Sequence, residues 1–242
     1  MRRLVLVMLV VAVAACSAKN KDQAFLDSVG QMSKEEIMAK GDAFAADGDR
    51  EEARRYYSFL SDSFPNDQVG RQAALKTADS FFQAKDIENL TEAQLRYKDF
   101  SNRFPNDPNR AYALLQLGKT YSKQRKGPLR DLTPAHEAAT AFQQVVELFP
   151  SSPFAEEARG LLKACQEDLA RHELEVAKYY FTSKGWQGAH LRLSYLIATY
   201  PDSDAAGEAR QMLVKVEAAL ASRGGAAPSQ PVSPTAPAKP SP

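Results

Sequence analysis

Few residues in this 242-residue chain are equipped for chemistry: two cysteines, three histidines and a single tryptophan. His172-Glu173 opens as a zinc-protease helix would, but the second histidine that pattern needs is replaced by Val176, so no pair of imidazoles shares one helix face. His136 and His190 stand alone and read as solvated or partly packed side chains. Cys165 closes the apolar stretch Leu161-Leu162-Lys163-Ala164-Cys165, where a thiol is expected to be a small buried hydrophobe and not a nucleophile. No glycine-rich phosphate loop and no Gly-x-Ser-x-Gly turn occurs. The expectation is a protein that is not an enzyme and has no metal site.

Cys16 has a different setting. Arg2 and Arg3 precede an unbroken apolar run from Leu4 to Ala15, which ends at Cys16. As a helix that run would reach only about 18 Å, against roughly 30 Å for a bilayer core. These are the proportions of a secretory signal. Val13-Ala14-Ala15-Cys16 resembles a bacterial lipobox, which implies cleavage before Cys16, a thioether-linked diacylglycerol on its sulfur and an acylated amino terminus. Residues 1–15 are therefore expected to be a lipoprotein signal peptide. Acyl chains contribute about 0.8 kcal/mol per buried methylene, so three of them hold a protein on a bilayer with no spanning helix. Ser17 in place of an aspartate looks like outer-membrane sorting. Residues 16–33 are polar and weakly periodic and read as a lipidated tether.

Lys+Arg 31 against Asp+Glu 30 leaves a formal charge of +1, which gives no sign of a nucleic-acid partner. All 21 Phe and Tyr and the single Trp lie between Phe25 and Tyr200, so the core is expected there. The elements that build it announce themselves by repetition. Phe64-Pro65-Asn66-Asp67, Phe104-Pro105-Asn106-Asp107, Phe149-Pro150-Ser151-Ser152 and Tyr200-Pro201-Asp202-Ser203 recur at spacings of 40, 45 and 51 residues. Proline lacks an N–H and forces the preceding residue out of the helical region, so each cassette ends one helix. The Asn, Asp or Ser beyond it is suited to cap the next.

Counting back twelve residues from each proline gives Ala53, Ala93, Ala138 and Ala189. Eight back stand Tyr57, Tyr97, Phe142 and Leu193; five back stand Leu60, Phe100, Val145 and Leu196. With the aromatic before the proline, these form one apolar stripe at helical spacing. Each preceding helix carries a small residue followed three later by an aromatic: Gly41 and Phe44, Ala78 and Phe81, Gly118 and Tyr121, Ala177 and Tyr180. Small residue, aromatic, alanine and proline at these spacings resemble the tetratricopeptide pattern.

The expected fold is all-α: a tetratricopeptide-like superhelix of four helix hairpins plus a capping helix over residues 34–222. Helices are predicted near 34–47, 50–63, 69–85, 90–103, 109–125, 134–148, 154–184, 187–199 and 203–222. The seventh contains no Pro or Gly between Leu161 and Lys184, with a split near Gly160 as the alternative. Residues 223–242 carry prolines at every third position from Pro228 to Pro240 and read as a disordered, Pro-rich tail.

Stacked hairpins present a concave face that grips peptides or partner domains. By helical phase Phe82, Tyr112, Leu115 and Lys119 fall on that face and would suit an extended segment ending in an aromatic residue. Phe82 and Leu115 are equally suited to filling core between repeats.

The stretch from Arg130 to Ser203 carries a more particular likeness. Its residues are Pro134-Ala135-His136-Glu137-Ala138-Ala139-Thr140-Ala141-Phe142, then Leu169-Ala170-Arg171-His172-Glu173-Leu174-Glu175-Val176-Ala177-Lys178-Tyr179-Tyr180, Trp186 and Tyr200-Pro201-Asp202-Ser203. With the lipobox and the repeats, it resembles the BamD family, lipoprotein subunits of the outer-membrane β-barrel assembly machinery, over roughly 30–222. The family's fifth hairpin is cut to one helix here, and the proline tail is extra. The resemblance implies a lipid-anchored, non-enzymatic scaffold on the periplasmic face of the outer membrane, with no cofactor beyond the covalent lipid on Cys16. Its implied partners are a BamA-like barrel-inserting subunit, other assembly lipoproteins, and unfolded β-barrel precursors read by a terminal signal in the amino-terminal groove. The family's partner arginine, six residues after a helix-start tryptophan, falls on Arg192 after Trp186; a solvated helix arginine fits that position as well. On this reading Arg192→Glu weakens partner association and leaves helicity intact. A pilotin-like lipoprotein and a cell-wall accessory scaffold are the competing readings.

Overall fold

The computed structural model describes residues 23–84, 86–125 and 131–222. The expected signal segment, Cys16 and the proline tail lie outside them. The described residues form α1 (23–29), α2 (Lys34–Ala46), α3 (Arg50–Ser63), α4 (Gln68–Ala84), α5 (Ile87–Arg103), α6 (Arg110–Lys123), α7 (Thr133–Leu148), α8 (Ala155–Thr182), α9 (Trp186–Thr199) and α10 (Asp204–Ala221), with no strand among them. Two compact units result, one ending at Arg96 and one beginning at Tyr97, and α5 runs through the division.

The four cassettes make one turn four times. In each, the N–H of the last residue donates to the carbonyl of the aromatic before the proline: Asp67 to Phe64 (3.0 Å), Asp107 to Phe104 (3.2 Å), Ser152 to Phe149 (3.0 Å) and Ser203 to Tyr200 (3.2 Å). The same side chain then accepts from the start of the next helix, as Asp67 does from the N–H of Val69 (2.8 Å) and Ser203 from that of Ala206 (3.2 Å). Elsewhere Ser33 and Glu36 close a capping box on α2, and Asp49 accepts from the N–H of Glu52 (3.1 Å) to open α3.

In the first unit α2 packs on α3 and α3 on α4. Ile37, Ala53, Tyr56, Tyr57, Leu60 and Ala73 are buried there. In the second, α6 packs on α7, α7 on α8, α8 on α9, and α10 on both α8 and α9. Ala170, Leu174, Ala177, Leu193, Leu196, Ala206 and Val216 form its carboxy-terminal core. The stripe residues twelve, eight and five before each proline are all buried, and the aromatics directly before the prolines, Phe64, Phe104, Phe149 and Tyr200, are half-buried. Each large member contributes about 1.5–3 kcal/mol. The small residues of the first helices serve close approach. A Cβ on Gly41 would stand 2.6 Å from the Tyr57 ring, and one on Gly118 2.4 Å from the Phe142 ring. These hairpins are tetratricopeptide-like in pattern and in packing.

One expectation changes, and one open alternative closes. Within the span 16–33 read as a tether, residues 23–29 form α1, and Phe25, Val29 and Met32, at i, i+4 and i+7, lay an apolar stripe on α3. Val29 is buried, and the Phe25 ring meets those of Tyr56 (centroids 5.1 Å) and Phe59 (6.0 Å) edge-on. The single helix predicted over 154–184 is observed: α8 passes through Gly160 without a break, so the alternative of a split there falls away. Backbone conformation also repeats. Gly48 and Lys184, each seventeen residues before its cassette proline, share a positive φ (85° and 60°) at the turn inside their hairpins.

Candidate functional site

Gly41 lets α2 settle on the Tyr57 ring, and this contact places Asp42 at the mouth of a cleft in the first unit. The Tyr57 hydroxyl donates to Asp42 Oδ1 (2.6 Å), and Lys76 Nζ of α4 donates to the same oxygen (2.8 Å). Burial opposes charge on Asp42, but the hydrogen bonds from Lys76 and Tyr57 outweigh it and hold the carboxyl below its usual range. Burial, and then the bond to Asp42, push the Tyr57 hydroxyl well up. The cleft measures about 390 Å³ and is also lined by Arg50, Asp79, Ser80 and Gln83. Donors and acceptors of both signs face one space, which suits polar chain segments and offers no nucleophile paired with a base.

The four residues assigned to a peptide groove divide between helices. Phe82 lies half-buried on α4 of the first unit; Tyr112, Leu115 and Lys119 lie on α6 of the second. Tyr112 and Lys119 turn toward the start of α8. The Tyr112 ring packs on that of Phe154 (5.5 Å), and Lys119 Nζ pairs with Glu157 (2.6 Å). Leu115 is 1% exposed, so it packs the core and presents nothing to a peptide. A first helix packed along more than one face buries positions that helical phase alone assigns to the groove.

At the carboxy-terminal hairpin, Trp186 opens α9 and its ring meets that of Phe181 edge-on (5.1 Å), against the core formed by α8, α9 and α10. Arg192 is not simply solvated. Its Nη1 donates to both oxygens of Glu173 on α8 (3.0 and 3.4 Å). Glu173 is 7% exposed, whereas the Arg192 side chain remains 30% exposed. The sequence presents Glu173 in a failed zinc motif and within the family-like string from Leu169 to Tyr180, and neither assigns it a partner. The available signal was its place beside Ala170, Leu174 and Ala177 on the packed face of α8, where a carboxylate needs a cation. The pair also alters the Arg192→Glu experiment. That substitution sets a second carboxylate against a buried one and disturbs the fold as well as any interface.

The remaining candidates are packed or engaged within the chain. Burial pushes the Cys165 thiol up despite nearby Arg125. Burial lowers His136, against a raising influence from Glu173. His190 is buried with Nε2 3.7 Å from Glu217. Among the described residues no cluster of three or more His, Cys, Asp or Glu side chains could hold a metal ion, and no helix is long and apolar enough to cross a membrane.

Residues 30–229, which include both units from the end of α1 onward, match the YfiO family model, described as an outer membrane lipoprotein. Curated relatives agree. The outer membrane protein assembly factor BamD of Haemophilus influenzae is 30% identical over 217 residues, covering 86% of this chain and 79% of the relative. Proteins with the same name from Pasteurella multocida (27% over 212 residues; 84% and 78%) and Neisseria gonorrhoeae (26% over 210 residues; 83% and 78%) match nearly as far. Helix hairpins, cassette turns and the match along most of the chain together place this protein in the YfiO (BamD) family of outer membrane lipoproteins.

Proposed function

We propose that this protein is a non-enzymatic scaffold in outer-membrane protein assembly. It is anchored by lipid on Cys16 to the periplasmic face of the outer membrane. The carboxy-terminal hairpin, with Trp186 and Arg192, docks on the periplasmic domains of a BamA-like barrel-inserting subunit, and other assembly lipoproteins join that complex. The first unit, through the cleft at Asp42, Tyr57 and Lys76 and the neighbouring Phe82, receives extended segments of unfolded β-barrel precursors. Tyr112 and Lys119 supply a second polar and aromatic surface on α6.

The observation that carries this reading is the match to assembly factors along more than four-fifths of the chain, with the helix hairpins inside the matched region. Repeat hairpins bind other chains by surface complementarity and need no reactive centre. Depleting the protein and quantifying folded barrels in the outer membrane tests the reading. A general fall in barrel proteins is the expected result. Loss confined to pili or secretin multimers, or to septation and the cell wall, overturns it in favour of a pilotin-like or cell-wall scaffold.

A further inference from the structure

Arginine 192 is held from one side only. Both contacts to Glu173 come from Nη1, so the Nε and Nη2 donors of the same guanidinium are not used by that carboxylate. Glu173 is anchored by its depth. It lies on the packed face of α8 between Ala170 and Ala177, both fully buried. Arg192 projects from α9, where Tyr195 lies one turn on and is likewise only partly covered. Two contacts to a buried carboxylate restrain a long side chain that would otherwise sample many rotamers, while that side chain stays 30% exposed. Arginine and tyrosine are the residue types that dominate binding energy at protein interfaces, and pre-paid side-chain ordering is what makes an anchor effective.

We propose that Glu173 is a positioning residue: from inside the fold it holds Arg192 so that the outer edge of the guanidinium receives a carboxylate of the partner protein. A planar fork with one nitrogen committed inward can still make charge-assisted bonds outward. A partner carboxylate then completes an acid–arginine–acid arrangement in which the cation is shared and Glu173 is never left buried alone. The inference rests on the assembly reading for the identity of the partner. Charge complementarity to the exposed part of the guanidinium is what makes the proposed partner surface acidic.

The test measures binding of the full-length lipoprotein, in detergent, to the purified periplasmic domains of the barrel-inserting subunit, over a range of salt. Wild type, Glu173→Gln, Arg192→Gln and the double variant are compared after thermal melting by circular dichroism. Glutamine keeps the shape of Glu173 and an acceptor oxygen but drops the charge. Arg192→Gln is expected to lose about tenfold or more in affinity, with a flatter salt dependence. Glu173→Gln is expected to lose about three- to tenfold, and to add nothing in the Arg192→Gln background, because it acts only through the arginine. Should Glu173→Gln melt too early to assay, Glu173→Asp retracts the same charge by one methylene and is expected to weaken binding in the same arginine-dependent way. Wild-type affinity in the assayed position-173 variant, or losses at the two positions that multiply, overturns the proposal. Failure of the wild-type chain to bind overturns the assembly reading itself, a result distinct from either.

Discussion

Glycine to alanine should change stability in opposite directions at two helical positions of the second unit, and the difference follows from what a Cβ would meet. At Gly160, inside α8, nothing lies within 4 Å of the added carbon. Gly160→Ala therefore keeps the whole gain in helix propensity, about 0.5–1 kcal/mol. At Gly118, inside α6, the Cβ would lie 2.4 Å from Cε1, 2.7 Å from Cδ1 and 2.8 Å from Cζ of Phe142. Carbon atoms settle at about 3.5–4.0 Å, so the ring must retreat by about 1 Å. Phe142 is fully buried and has no free volume to enter. Overpacking of this kind costs about 1–3 kcal/mol, which exceeds the propensity gain and leaves a net loss of about 1–2 kcal/mol. For a folded region of this size that is a fall of about 2–8 °C in Tm, against a rise of about 1–4 °C for Gly160→Ala. Thermal unfolding followed by far-UV circular dichroism measures both. A cycle with Phe142→Leu sharpens the test: if the ring is the obstacle, the double variant is more stable than the sum of its parts. Gly118→Ala melting at or above the temperature of Gly160→Ala would refute the argument that ring contact, not chance composition, accounts for glycine at 118.

Lys184 holds the left-handed conformation that Gly48 holds in the first hairpin, so Lys184→Gly is expected to stabilise by about 0.5–1 kcal/mol and Gly48→Ala to destabilise by about 1 kcal/mol, both read by denaturant midpoint. Asp42 has a folded pKa below its ordinary 3.8, so its contribution to stability is present above that value and is lost as pH falls through the lower, folded one. Asp42→Asn should remove that portion of the acid-unfolding slope, and an unchanged acid limb counts against the Lys76–Asp42–Tyr57 arrangement. Cys16→Ser is expected to leave the protein unprocessed or in the soluble fraction, and recovery in membranes at wild-type levels sinks the anchor assignment.

What could be read from the chain alone was whatever repeats. Prolines marked helix ends, and because each cassette also carries its own cap, predicted and observed bounds agree to within about three residues even for α5 and α8. The stripe from Ala53 to Leu196 was legible for the same reason: a 3.6-residue period names the buried face of a helix without reference to its neighbours. The missed features depend on neighbours. Helix α1 precedes the first cassette and spans two turns, too short for a period to stand out, and only the surface of α3 makes Phe25 and Val29 core residues. Leu115 suited groove and core equally by phase, because phase cannot say how many sides of α6 are covered. The link between Glu173 and Arg192 joins two helices: the packed face of α8 says that Glu173 needs a cation, but not which one.

Helix α8 has 28 residues and serves two hairpins, packing on α7 at one end and on α9 and α10 toward the other. Its length, about 42 Å, behaves as a crank. Each residue added to or removed from its middle swings everything downstream by about 100°, taking Glu173 and its whole hairpin out of alignment with α7. Adding seven returns the far end to within about 20°. Length variation among proteins built this way should therefore collect in their turns, and where it does enter this shaft it should come in near-whole pairs of turns.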